Sequence, residues 1–221
     1  NRGLIDPVGA PVILATLTAH HILERVDYPH TAFQFEHQHL QEYYAALDVR
    51  TQLLEMQGDD HDATGRFTAD YVNNPAWAEP LRMIAETFAE RTGDGEVDRR
   101  NTLAGRNLIE MALTVDLVFA GELAQLCGVA IWNEVRAVVG QRFRAVHAIS
   151  DANLRKYATA AMLATGADDF SDIIVPLLTG QDQQARFRTY RLWPDLHVSS
   201  LGPNWREQVS SWSEEARARF V

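Results

Sequence analysis

The 221-residue chain is 46% hydrophobic with a formal net charge of -10, enough apolar material for a sizeable core. That acidity argues against a nucleic-acid face, which needs clustered cations to release counterions from phosphates. The lone Cys127 rules out an internal disulfide and fits a reducing, cytoplasmic setting, while the lack of a membrane-length apolar run or signal-peptide pattern predicts no membrane partner.

Taken in chain order, Gly3 to Ala10 reads as a strand or turn with Pro and Gly punctuation, and a helix is expected from about Pro11 to Val26. Asp27 to Thr31 returns the chain to a short strand in which Phe33 and Phe35 alternate with polar neighbours. Leu40, Tyr43, Tyr44 and Leu47 then recur at helical spacing, as one buried helix face would. The period changes near His37.

The run Phe33-Gln34-Phe35-Glu36-His37, continued by Gln41-Glu42-Tyr43 and Ala45-Ala46, closely resembles the F-x-F-x-H-x-x-x-Q-E-Y-x-A-A signature of NACHT-type NTPases. These are signal-transduction ATPases that include NOD-like receptors and many bacterial relatives. The resemblance implies that residues 1–57 are the end of a winged-helix subdomain with its linking helix. It also implies that His37 faces the β-phosphate of ADP held by the NTPase core of the same parent chain. In bacterial relatives such an architecture is associated with antiphage defence.

A polar stretch, Gln57 to Thr64, contains Gly58-Asp59-Asp60-His61-Asp62 and is expected to be a loop and a domain boundary. Beyond it, residues 64–221 are helical in pattern. A helix opening at Pro75 carries Trp77, Leu81, Ile84 and Phe88 on one face and ends at Thr92-Gly93-Asp94-Gly95. NACHT proteins often have a similar Pro-x-Trp helix at this point. Further helices are expected over about Asp98 to Leu113, Asp116 to Leu126 and Ala130 to Ile149, with Val115 at a break.

Asp151 to Arg155 and Asp182 to Arg186 share an Asp-x-x-x-Arg core at about the separation of one helical-hairpin repeat. Between them lie one apolar face (Leu154, Tyr157, Ala158, Ala161, Met162), a stop at Gly166, and a second face (Phe170, Ile173, Ile174, Leu177, Leu178). The unit resembles a HEAT repeat. Ordinary helix capping would also place an Asp four residues before an Arg. After Gly202-Pro203 a short helix is expected, and Ser213-Glu214-Glu215 marks the start of another.

Chemistry is sparse. The only lysine, Lys156, follows Arg155 and belongs to no G-x-x-x-x-G-K-[ST] loop, so these residues hold no Walker A site and ATP or ADP is a cofactor of the inferred parent alone. Cys127 lies in the apolar context Leu126-Cys127-Gly128, as a small buried hydrophobe would. His20-His21 and the pair His37, His39 lack the i, i+4 spacing of a zinc helix. His61-Asp62 is the one pair reminiscent of metal-dependent phosphohydrolases, and no G-x-S-x-G frames a nucleophilic serine.

The expected fold is therefore all-α: a helical-hairpin superhelix, right-handed and HEAT-like, with a short β element near the N-terminus. The start at Asn1, without an initiator methionine, and the end on Val221, without a polar closing repeat, read as those of a piece of something longer. The expected role is non-catalytic: a nucleotide-state reporter joined to a surface that recognises a protein trigger, in a parent able to form homo-oligomers. The rival readings are a freestanding helical protein-binding scaffold and a metal-dependent phosphohydrolase centred on His61 and Asp62.

Overall fold

The computed structural model describes residues 9–27, 29–56, 60–179 and 205–214. Its first helix, α1 (Ala10–Ala19), carries Pro11 in the first turn, where a missing N–H costs no helical hydrogen bond. It stops well short of Val26, because His21 adopts a φ of 56°, a left-handed conformation through which a right-handed helix cannot continue. Leu23–Val26 is instead a strand, β1, paired antiparallel with β2 (Ala32–Phe35), so that Leu23 faces Phe35 and Arg25 faces Phe33. Leu23 and Val26 stand three apart, a helical spacing, so local periodicity favours a helix where pairing with β2 makes a strand. The expectation for residues 3–10 falls almost wholly outside the described residues.

His37 is extended (φ -119°, ψ 126°) and α2 (Gln38–Glu55) begins directly after it. The buried face of α2 is Ala46, Val49 and Leu53, not the expected set of Leu40, Tyr43, Tyr44 and Leu47. Tyr43, Tyr44 and Leu47 are 52%, 48% and 42% exposed. At about 100° per residue the two sets point to well-separated sides of one helix. This helix therefore has two apolar faces, and only one of them enters the core.

A helix begins inside the stretch from Gln57 to Thr64 that was expected to be a loop. Asp60 caps α3 (His61–Phe67) by accepting the Ala63 N–H at 2.9 Å, so His61 and Asp62 lie in a first helical turn. A π-helical turn, Thr68–Val72, continues α3 and closes with the Asn73 N–H on the Thr68 carbonyl at 2.8 Å. A 3-10 turn, Pro75–Trp77, then leads into α4 (Ala78–Ala89), which buries Leu81, Ile84 and Phe88 as expected.

Next come α5 (Gly95–Val115), α6 (Leu117–Leu126), α7 (Gly128–His147) and α8 (Ala152–Ala164). Val115 is the last residue of α5, and Asp116 both ends that helix and caps the next. Gly95, read as part of a terminator, opens α5 behind the Asp94 cap. A 3-10 turn, Asp168–Phe170, precedes α9 (Ser171–Thr179), and α10 is Trp205–Ser211. The Asp182 to Arg186 repeat partner and Glu215 lie outside the described residues.

The helices stack in two layers. One is α2, α4, α6 and α8, each against the next; the other is the π turn after α3, then α5 and α7. Cross-layer contacts of α4 with α5 and α6 with α7 make these successive hairpins. The turns inside them use Gly93, Gly128 and Gly166 at φ 80°, 79° and 63°, values that an L side chain rarely adopts. α8 packs chiefly on α6 and α7. The α9 end is anchored by the fully buried Phe170, whose ring lies 6.2 Å from Trp132 and 5.9 Å from Phe143, both on α7.

One continuous core runs from Ala46 through Leu178, and no residue of α1, β1 or β2 belongs to it. Full burial of side chains such as Phe88, Leu108 and Ile131 removes apolar surface worth about 1.5–3 kcal/mol each. Where α6 meets α8 the backbones approach closely. A Cβ built on Gly121 would stand 2.5 Å from the Ala161 carbonyl oxygen and 3.1 Å from the Ala164 Cβ. Tyr157, midway along α8, ties it to the N-terminal end of α6: its hydroxyl accepts the Leu117 N–H at 2.7 Å and donates to the Asp116 carboxylate at 3.0 Å.

Substituting Gly121→Ala is expected to lower unfolding stability by about 1–3 kcal/mol through overpacking. Gly65→Ala, in open space on α3, is expected to be neutral or to stabilise by up to about 1 kcal/mol. Paired urea titrations check both, and equal effects at the two sites would contradict the close packing.

Candidate functional site

His37 is exposed and stands at the N-terminal end of α2. Its carbonyl accepts the Leu40 and Gln41 N–H groups at 3.1 and 3.3 Å, whereas its side chain makes no capping bond. The imidazole is thus open to a ligand beside the unpaired N–H groups of a helix start, which favour anions.

Two further histidines flank it. His39 Nδ1 lies 3.3 Å from Glu42 Oε2, and His21 Nδ1 lies 3.4 Å from Glu36 Oε2. Glu42 also accepts from the Gln38 amide at 2.7 Å through Oε1, while its buried Oε2 has no hydrogen bond. The structure therefore brings His37 and His39 to the start of the same helix, with His39 turned toward a carboxylate.

The hairpin stacks on α2 beside this point. The Phe35 and Tyr44 rings are 5.5 Å apart and nearly parallel, and Tyr43 meets Tyr44 edge-on at 5.5 Å. Phe33, two residues from Phe35 on the same side of β2, is 39% exposed. The stripe that α2 buries is Ala46, Val49 and Leu53, which has helical spacing of its own in the sequence.

His61 and Asp62 sit at the start of α3, and no group of three or more His, Cys, Asp or Glu side chains able to hold a metal ion gathers among the described residues. Cys127 is buried between α6 and α7, and burial pushes its thiol up to about 12. It is protonated at neutral pH and unsuited to attack as a thiolate. No helix among the described residues is long and apolar enough to cross a membrane.

Two of the grooves among the described residues of the repeat array border both charged and aromatic side chains. A space of 420 Å³ lies between the turn before α4 and the turn before α6, bordered by Asn73, Pro75, Arg82, Asp116, Phe119 and Glu122. Arg82 is already paired there: it donates to Glu122 at 3.1 and 2.7 Å and lies 5.4 Å over the Phe119 ring. A second space, 280 Å³, borders Trp132, Arg136 and Asp169, where the Trp132 indole N–H donates to Asp169 at 3.0 Å.

At the end of α7, burial and then the neighbouring charges of Arg155 and Arg144 hold the His147 pKa below its ordinary value, against a smaller opposing pull from Asp172. The folded state therefore prefers the neutral ring. Its contribution is fully present above the unfolded value of about 6.5 and is lost as pH falls through the depressed folded value. Melting temperatures measured downward from pH 7 should fall less steeply in His147→Gln than in the parent chain. Identical pH slopes would show that His147 contributes nothing.

No protein-family model, curated protein or solved structure matches this chain.

Proposed function

We propose that the chain is a non-catalytic regulatory and protein-recognition region of a NACHT-type signal-transduction ATPase, of the kind associated in bacteria with antiphage defence. The observation that carries this reading is the Phe33 to Leu47 run, with α2 starting directly behind an exposed His37. The order helix, hairpin, helix over α1, β1, β2 and α2 supports an origin in the end of a winged-helix subdomain. The two-layer helix array supports a protein-binding role for the remainder.

In this reading the parent's NTPase core holds ADP, and His37 donates to its β-phosphate. A hydrogen bond to a charged group contributes about 1.5–3 kcal/mol. Differential contact of that size shifts a two-state equilibrium by tenfold or more, roughly. Exchange of ADP for ATP rearranges the contact and frees the array to engage a protein trigger.

A freestanding helical scaffold is the second reading, favoured by the fact that the core lies wholly within the helices after His37. The coding sequence upstream of Asn1 distinguishes the two. A P-loop NTPase in the same frame supports the switch, and a start codon at that point supports the scaffold.

His37→Leu in the full-length protein should raise signalling without trigger by about tenfold, the size of one lost charged contact. Unchanged basal signalling in a normally expressed variant would count against the role given to His37.

A further inference from the structure

The outward face of α2 is unlike the other apolar exposures of this chain. Tyr43, Tyr44 and Leu47 are each about half exposed along one side of an 18-residue helix, and they are continued by Phe35, stacked on Tyr44, and by Phe33. Aromatic side chains supply large contact areas at low entropic cost and are enriched where proteins bind one another. The opposite face of the same helix is buried through Ala46, Val49 and Leu53, so this stripe is held on a rigid support.

The charges beside it are one-sided. Asp48, beside Leu47, and Glu55, two turns farther along the same side of α2, are exposed and meet no cation among the described residues; Asp48 has only the Gln52 amide. Glu36, at the hairpin end, has His21. The nearby cations are engaged: Arg25 with Asp27 at 2.8 Å, and Arg50 with Thr87 and Asn101 at 3.1 and 3.2 Å and lying over the Phe88 ring.

We propose that this face docks a basic amphipathic helix of a partner protein. Aliphatic side chains of the partner cover Tyr43, Tyr44, Leu47 and Phe33, and its Lys or Arg side chains reach Asp48 and Glu55 from the flank. Two cations two turns apart match that carboxylate spacing, and a cation can also lie over a tyrosine face. The proposal goes beyond the nucleotide-switch reading and does not depend on it, since it uses neither His37 nor an NTPase core.

The test is fluorescence anisotropy on the 221-residue chain with two labelled peptides of the same 18-residue length as α2. One is an amphipathic Leu/Lys helix, and the other has the same leucine face with Glu in place of Lys. The Lys peptide should bind about tenfold more tightly than the Glu peptide. The double substitution Tyr43→Ser and Tyr44→Ser, which leaves net charge unchanged, should weaken its binding about tenfold. Asp48→Asn with Glu55→Gln should weaken it several-fold and flatten its salt dependence. Equal binding of the Lys peptide to the parent chain and the tyrosine variant would overturn the proposal, because general attraction to an acidic chain survives that change. So would concentration-dependent dimerisation of the parent chain that the tyrosine variant abolishes, since the occupant would then be a second copy. Thermal melts of both variants within a few degrees of the parent establish that they are folded.

Discussion

The double-sided character of α2 is the constraint on which the rest of the structure depends. Ala46, Val49 and Leu53 commit one side to α4 and α5, and burying that side already accounts for the helix being ordered. Its other side is then free to carry Tyr43, Tyr44 and Leu47 outward and to receive the hairpin through the Phe35–Tyr44 stack. α1, β1 and β2 add nothing to the main core, so α2 is the element through which the N-terminal segment is held to the array. The aromatic face and the surface packed on α4 and α5 therefore belong to one helix.

The array behind α2 is built from repeated local solutions. A glycine at positive φ turns the chain inside each hairpin, at Gly93, Gly128 and Gly166. An aspartate begins the first helix of two of them: Asp116 accepts the Val118 and Phe119 N–H groups, and Asp151 accepts those of Asn153 and Leu154. Small residues then let neighbours approach, with Gly121 against Ala161 as the tightest case. Each device acts within one repeat or between adjacent ones, as nearest-neighbour packing in a repeat architecture requires.

Much of this was legible in the sequence. The all-α class, the start of α2 after His37, the buried Leu81, Ile84 and Phe88 face of α4, the stop at Gly166 and the burial of Cys127 follow from periodicity, turn chemistry and polarity acting over a few residues. Three features were not. The Leu23 to Val26 strand depends on pairing with residues 32–35 and on one left-handed residue, His21, and neither is a local preference. The identity of the buried face of α2 depends on which of two apolar stripes meets α4, which is decided by tertiary packing. The start of α3 was hidden because Asp60, in a polar run, reads equally as loop or as cap. The repeat is marked by the Asp116 and Asp151 caps and by the three turn glycines, signals spread over separate hairpins, while Asp182 lies outside the described residues. At His37 the sequence placed the residue at a helix start, and the fold leaves it exposed there.

Native-state hydrogen exchange of the 221-residue chain tests the central claim most directly, because it reports the opening free energy of each segment separately. If α2 is packed as part of the array, its amides from Ala46 to Leu53 should exchange as slowly as those of α4 and α5, while Leu23 to Val26 and Ala32 to Phe35 exchange markedly faster. Exchange of α2 at the hairpin's rate, well ahead of α4 and α5, would contradict the account.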